Sequence, residues 1–94
     1  MYHILQNGTA TYDIPDDYTG TVVHMNSKPG TKFFYKNGKL HRLDGPAAVL
    51  SHTQLWYFKG LRHRLDGPAL KRFDGYTEFW ILGLPMAKYM KIFY

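Results

Sequence analysis

Arg42, Arg62 and Arg64, together with Trp56, Tyr57 and Trp80, carry the chemistry most open to this chain. A guanidinium presents a planar fork of donors to phosphate or carboxylate oxygens. A flat side chain stacks on a ring or a base. The six form a candidate binding site for an anionic, ring-bearing ligand, the aromatics stacking and the arginines holding phosphate. His41, His63 and Lys39 would project along the same edge. Other chemistries are excluded by residue type. There is no cysteine, and the five histidines show no helical i, i+4 pair, so His41 and His63 lack the ligand count of a metal site. No Gly-x-Ser-x-Gly elbow, phosphate-binding glycine loop or His-Glu-x-x-His occurs. Asp13, Asp16 and Asp17 read as a solvated turn. Glu78, the acid within a predicted aromatic strand, reads as a cross-strand partner of Lys71 or Arg72. The chain is expected to be no enzyme and to need no cofactor.

These residues hang on a heptapeptide written twice: His41-Arg42-Leu43-Asp44-Gly45-Pro46-Ala47 and His63-Arg64-Leu65-Asp66-Gly67-Pro68-Ala69, offset by 22 residues. A fixed period near twenty marks a stacked supersecondary unit. Asp-Gly-Pro reads first as a turn, with Asp bonding its own following backbone, Gly taking a strained dihedral and Pro starting an edge strand. Arg42 with Asp44, and Arg64 with Asp66, are expected to pair with each other or with the next repeat. The histidine is expected to bond a backbone carbonyl at the same corner. The motif is structural in the first place; its His-Arg half keeps a functional reading through the aromatic columns beside it.

The elements that position the motif follow in order. Residues 1–19 read as an N-terminal hairpin cap, with Tyr2, Ile4 and Leu5 before an Asn7-Gly8 turn and a strand from Thr9 to Ile14, broken by Pro15-Asp16-Asp17. Residues 20–85 read as three hairpin repeats: Thr21 to Met25 with Lys32 to Lys36, Ala47 to Ser51 with Gln54 to Phe58, and Leu70 to Phe73 with Tyr76 to Leu82. The first is joined by a longer loop closed by Pro29-Gly30, and the other turns fall at His52-Thr53 and Asp74-Gly75, the last suited to a two-residue type I′ turn. Aligned on Gly38, Gly60 and Gly83, Phe34, Trp56 and Phe79 make one column, and Tyr35, Tyr57 and Trp80 another on the opposite face. The second interval is 23 residues, so a bulge or loop residue intervenes. Residues 86–94 read as a C-terminal cap, because Met86, Tyr89, Met90 and Phe93 fall at i, i+3, i+4, i+7 behind Pro85. A short strand from Lys91 to Tyr94 is the competing reading. The fold class is mainly β: stacked hairpin repeats in an antiparallel sheet with a short C-terminal helix, one domain over 1–94.

Ninety-four residues suit one small domain, and a 17% aromatic content supplies buried area. The lack of cysteine is compatible with a reducing compartment. No signal-peptide pattern and no membrane-length apolar run is present, so the chain reads as soluble and cytoplasmic, with no membrane partner. Charge is uneven. Residues 1–27 hold three Asp and no Lys or Arg, net −3; residues 28–94 hold all 12 Lys and Arg against four carboxylates, net +8. A basic body favours anionic partners.

The run from Phe34 to Ala47 resembles a repeat of tailed-bacteriophage and large-virus proteins, aromatic-Tyr-x-Asn-Gly-x-x-His-Arg-x-Asp-Gly-Pro-Ala, which is similar to the MORN repeat. The second copy, Trp56 to Ala69, matches with Lys59 in place of Asn; the third keeps Gly83 and loses His-Arg-x-Asp. The resemblance covers residues 30–85. It implies β-hairpins stacked into an elongated sheet, a viral origin, and scaffolding or binding without catalysis. The expected function is a phage-type binding protein that sequesters or blocks a host factor in the host cytoplasm, as counter-defence or host takeover. Its basic, aromatic face would hold a nucleotide-like anion or an acidic host protein. Homo-oligomerisation would enclose a pocket that 94 residues alone barely provide. RNA or single-stranded DNA binding along that face is the alternative, and a purely structural protein the third reading.

Overall fold

The computed structural model describes residues 3–24, 28 and 30–86. Among these residues there are twelve short strands and no helix: β1 (His3–Leu5), β2 (Ala10–Thr11), β3 (Gly20–His24), β4 (Lys32–Lys36), β5 (Lys39–Leu40), β6 (Ala48–Val49), β7 (Thr53–Leu55), β8 (Tyr57–Phe58), β9 (Leu61–Arg62), β10 (Leu70–Arg72), β11 (Thr77–Ile81) and β12 (Leu84–Met86). Ten form one large antiparallel sheet in the order β12-β11-β10-β7-β6-β4-β3-β1-β2, with β5 attached to β4; β8 and β9 pair separately. The mainly-β, hairpin-built sheet expected from the repeats is the fold.

Cross-strand registers draw one continuous row over the sheet: Leu5, Val22, Phe33, Ala48, Leu55, Leu70 and Glu78. It is apolar until Glu78, and Val22 and Ala48 are fully buried. The adjoining row lies on the other face, since side chains alternate along a strand. There the Phe34 and Trp56 amides donate to the carbonyls of Ala47 and Ala69, each at 2.8 Å. The heptapeptide alanines, both 0% exposed, thus alternate with Phe34, Trp56 and Phe79, small against large, and leave room for chain to fold back over them. We call this the loop face; Tyr35, Tyr57 and Trp80 lie on the opposite face.

Each aromatic strand belongs to a second hairpin that the sequence reading treats only as an exit. Asn37, Lys59 and Leu82 adopt φ of 51°, 50° and 47°, each followed by a glycine at positive φ. Two successive left-handed residues are what a tight two-residue hairpin requires, and they join β4 to β5, β8 to β9 and β11 to β12. Successive hairpins are stitched at two points. The amides of Gly38, Gly60 and Gly83 donate to the carbonyls of Tyr18, Leu40 and Arg62, each at 2.8 Å. The amides of Asn37, Lys59 and Leu82 donate to Thr19 Oγ1, His41 Nδ1 and His63 Nδ1 at 3.1, 2.9 and 2.9 Å. Positions 19, 41 and 63 are 22 apart, so the motif's histidine accepts from the next repeat's turn and does not bond a carbonyl at its own corner.

Three further expectations are corrected. The third turn is a three-residue loop, Phe73 to Gly75, with Arg72 donating to the Tyr76 carbonyl and Gly75 at φ 97°. It holds the extra residue of the 23-residue interval, whereas the second turn needs only Ser51 and His52 between Leu50 and Thr53. Pro46 and Pro68 lead into β6 and β10, which lie inside the sheet and not at its edge. The C-terminal helix does not begin at Pro85: Leu84–Met86 is a strand paired with β11, and the remainder of that segment lies outside the described residues.

Candidate functional site

Each heptapeptide is an arm folded over the aromatic residue of its own repeat. The Arg42 guanidinium lies 4.1 Å from the Phe34 ring centroid, and that of Arg64 lies 4.0 Å from the Trp56 ring. Arg42 Nε donates to Asp44 Oδ1 at 3.0 Å and Nη1 to the Pro46 carbonyl at 3.3 Å; Arg64 repeats this with Asp66 at 2.9 Å and Pro68 at 3.1 Å. Pairing is therefore within an arm and not between repeats. The arginine hydrogen bonds hold the Asp44 and Asp66 carboxyls below the usual carboxylate range. Gly45 and Gly67 are not in the left-handed region, so dihedral strain is not what selects them. A Cβ would stand 3.1 Å from Arg42 Cζ and 2.8 Å from Arg64 Cζ. Glycine is there because the guanidinium lies against the backbone.

Between the two arms opens a cavity of about 800 Å³, lined by Trp56 and Phe58 and by Leu43 and Leu65 from the arms. Leu43 is 80% exposed and Leu65 58%, so both present apolar surface to solvent at the cavity's walls. One repeat further, a second cavity of about 720 Å³ is lined by Leu65, Pro68, Phe79, Ile81 and Met86, with Phe79 and Ile81 in the places of Trp56 and Phe58.

The six candidate residues are divided between the faces. Arg42, Trp56, Tyr57 and Arg64 all line the cavity between the arms. Arg62 and Trp80 belong to the opposite face, where the Tyr57 hydroxyl also points. Arg62 packs 4.9 Å from the Trp80 ring and contacts Tyr57 Oη at 3.3 Å and Glu78 Oε1 at 3.4 Å. Glu78 accepts from the Tyr76 hydroxyl at 2.6 Å and from Trp80 Nε1 at 3.0 Å, which keeps its carboxyl below the usual range. Its ionic partner is thus Arg62, not Lys71 or Arg72; Arg72 pairs with Asp74. Among the described residues, Arg62 Nε is buried without a hydrogen-bond partner.

Comparison with family models, curated proteins and solved structures yields no match.

The electrostatics shift attention from arginine to lysine. Arg42, Arg62 and Arg64 each have a carboxylate at hand, so their charge is locally balanced. Lys36, Lys39 and Lys59 instead line a cavity of about 400 Å³ with Asn37 and His41. Burial, then the charges of Lys36 and Lys59, hold the His41 imidazole below its usual value. Of this group, the sequence reading marked His41 and Lys39 and missed Lys36 and Lys59. The signal was a comparison across the 22-residue period: Lys36 and Lys39 stand where the second repeat has Phe58 and Leu61.

Proposed function

We propose that this protein is a non-enzymatic binding module that takes a ligand on its loop face and acts by sequestering it. The observation that carries the reading is the cavity between the arms, where Trp56 and Phe58 stay accessible between two identical loops braced by guanidinium contacts. Stacking surfaces held open by rigid walls suit a flat, ring-bearing ligand. The lysines beside it suit an anion, so a nucleotide-like molecule fits better than an acidic protein surface. The likeness of the repeats to MORN-type hairpins of phage and large-virus proteins supports a binding role and, with it, a setting in the cytoplasm of an infected cell, directed at a host signal or defence factor.

Native mass spectrometry of the chain mixed with the small-molecule extract of phage-infected bacteria tests this. Retention of a nucleotide-class mass, lost in Trp56→Ala protein that still folds, is the expected result. A bare chain under every condition contradicts it. Nucleic acid is the rival ligand, and steep loss of binding with rising salt is its signature.

A further inference from the structure

The first repeat breaks a rule that the other two keep. Beside the second hairpin's turn, the register sets Phe58 opposite Leu61 and Ile81 opposite Leu84, apolar pairs in both cases. In the first repeat the same register sets Lys36 opposite Lys39. Like charges directly opposite one another in an antiparallel pair are destabilising. Lys59 brings a third ammonium group to the same cavity, and among the described residues no carboxylate side chain lines it. His41 adds a donor of fixed identity. Its Nδ1 accepts the Lys59 amide at 2.9 Å, so the neutral ring carries its proton on Nε2. The cluster adjoins the cavity between the arms: the Phe58 ring lies 5.0 Å from the His41 ring, and Lys59 Nζ lies 5.3 Å from the Phe58 ring.

We propose that Lys36, Lys39, Lys59 and the Nε2–H of His41 form a phosphate site, which takes the terminal phosphate of a small ligand whose ring lies on Trp56 and Phe58. The proposal rests on the loop face being the ligand face and specifies the chemistry held there. Ammonium groups and a ring N–H converge as several donors on the oxygens of one phosphate, and a bound dianion replaces the Lys36–Lys39 repulsion with attraction to both. A terminal phosphate fits better than a nucleic-acid backbone because, among the described residues, the cations do not continue along the stack at the equivalent positions. The positions equivalent to Lys36 are Phe58 and Ile81, those equivalent to Lys39 are Leu61 and Leu84, and Leu82 follows Lys59. A polymer would need a charged track through all repeats; among the described residues the charge at these positions ends with Lys59 in the turn of the second.

The test is a titration of inorganic phosphate into the full chain, followed by amide NMR shifts, beside a Lys36→Phe/Lys39→Leu double variant. That variant installs the pair the second repeat already uses, so it is expected to fold. The chain should show saturable shifts confined to residues 36–41 and 58–60, with affinity about tenfold or more weaker in the double variant. Adenosine binding, read from Trp56 fluorescence, should be the same in both proteins. Non-saturating shifts shared by Lys32 and Lys71 would mark general charge screening and overturn the site. So would equal phosphate affinity in the two proteins, or displacement of phosphate by a single-stranded oligonucleotide with a steep salt dependence. If phosphate fails while adenosine still quenches Trp56, the phosphate site falls and the loop-face reading stands. If phosphate binds and no ring-bearing compound does, the phosphate site stands and the ring half of the proposal falls.

Discussion

The first and second repeats carry the same heptapeptide arm in the same geometry, yet differ in what lies beside it. Arg42 over Phe34 and Arg64 over Trp56 are superimposable in their contacts: one aromatic ring, one carboxylate two residues on, one proline carbonyl. Beside the first arm stand Lys36 and Lys39; beside the second stand Phe58 and Leu61. Identical residues at a fixed period report identical internal contacts. What departs from the period is free of that duty, and it is there that a site can be built.

The glycines of the small turns break the comparison most severely. A Cβ on Gly38 would stand 2.3 Å from the Asp16 carbonyl oxygen at φ +76°, whereas on Gly60, at φ +82°, it would meet only Lys39 side-chain atoms at 3.5 Å. Gly38→Ala should cost about 3 kcal/mol or more, combining backbone displacement with left-handed strain, and Gly60→Ala only about 1 kcal/mol. Urea denaturation of the two variants measures the gap. Equal losses would mean that the N-terminal segment does not dock on the first repeat.

Next in size are the arms. Arg42→Ala and Arg64→Ala should each cost about 1–2 kcal/mol, from a lost ring contact and two hydrogen bonds. Lysine should not rescue either, because one ammonium cannot lie flat on the ring and bridge carboxylate and carbonyl together. A negligible loss at one of them in thermal denaturation would show that the arms are not equivalent. The histidine acceptors come after. His41→Ala and His63→Ala should each cost about 1 kcal/mol, and amide exchange should quicken at Lys59 in the first variant and at Leu82 in the second.

The smallest effect is that of pH. His41 is held below the ordinary imidazole value of 6.5 by burial and by Lys36 and Lys59, and His24 by burial and His3. Because the native values are lowered, the unfolded chain takes up the protons first as pH falls. Stability present above 6.5 therefore declines below it, toward the lowered native values. Asp44, Asp66, Asp74 and Glu78, whose carboxyls are also lowered, add a second decline below the ordinary carboxylate range. His41→Gln should shrink the first decline to the part that His24 contributes and leave the second. A melting temperature unchanged between about pH 7 and pH 5 would contradict the assignment.

Much of the meander was legible, because hairpin turns have local causes. Asn7-Gly8 turns β1 into β2, and the repeat period sets the aromatic columns on opposite faces. The second set of hairpins was not read, although Asn37-Gly38 carries the same signal as Asn7-Gly8. At the equivalent Lys59 and Leu82 nothing local favours a left-handed residue; acceptors from the preceding repeat hold those turns. The reason for Gly45 and Gly67 is likewise invisible in sequence, since it depends on where a guanidinium at the end of a flexible stem comes to rest. Residue type alone does not separate the two faces over which the six candidate residues are divided. Arg62, cross-strand from Tyr57 on β9, must share that residue's face, and the alternation rule was enough to place it. At the C-terminus, Leu82-Gly83 turns the chain back onto β11 and overrides the helical spacing at Met86.

The two tryptophans report on the two faces separately. Trp56 lines the cavity between the arms, and Trp80 donates to Glu78 on the opposite face. Titration of adenosine 5′-diphosphate into Trp80→Phe and Trp56→Phe proteins, read by fluorescence, addresses the central claim. Saturable quenching of Trp56 with Trp80 unchanged is the predicted result; quenching of Trp80 alone, or of neither, would contradict a ligand site on the loop face.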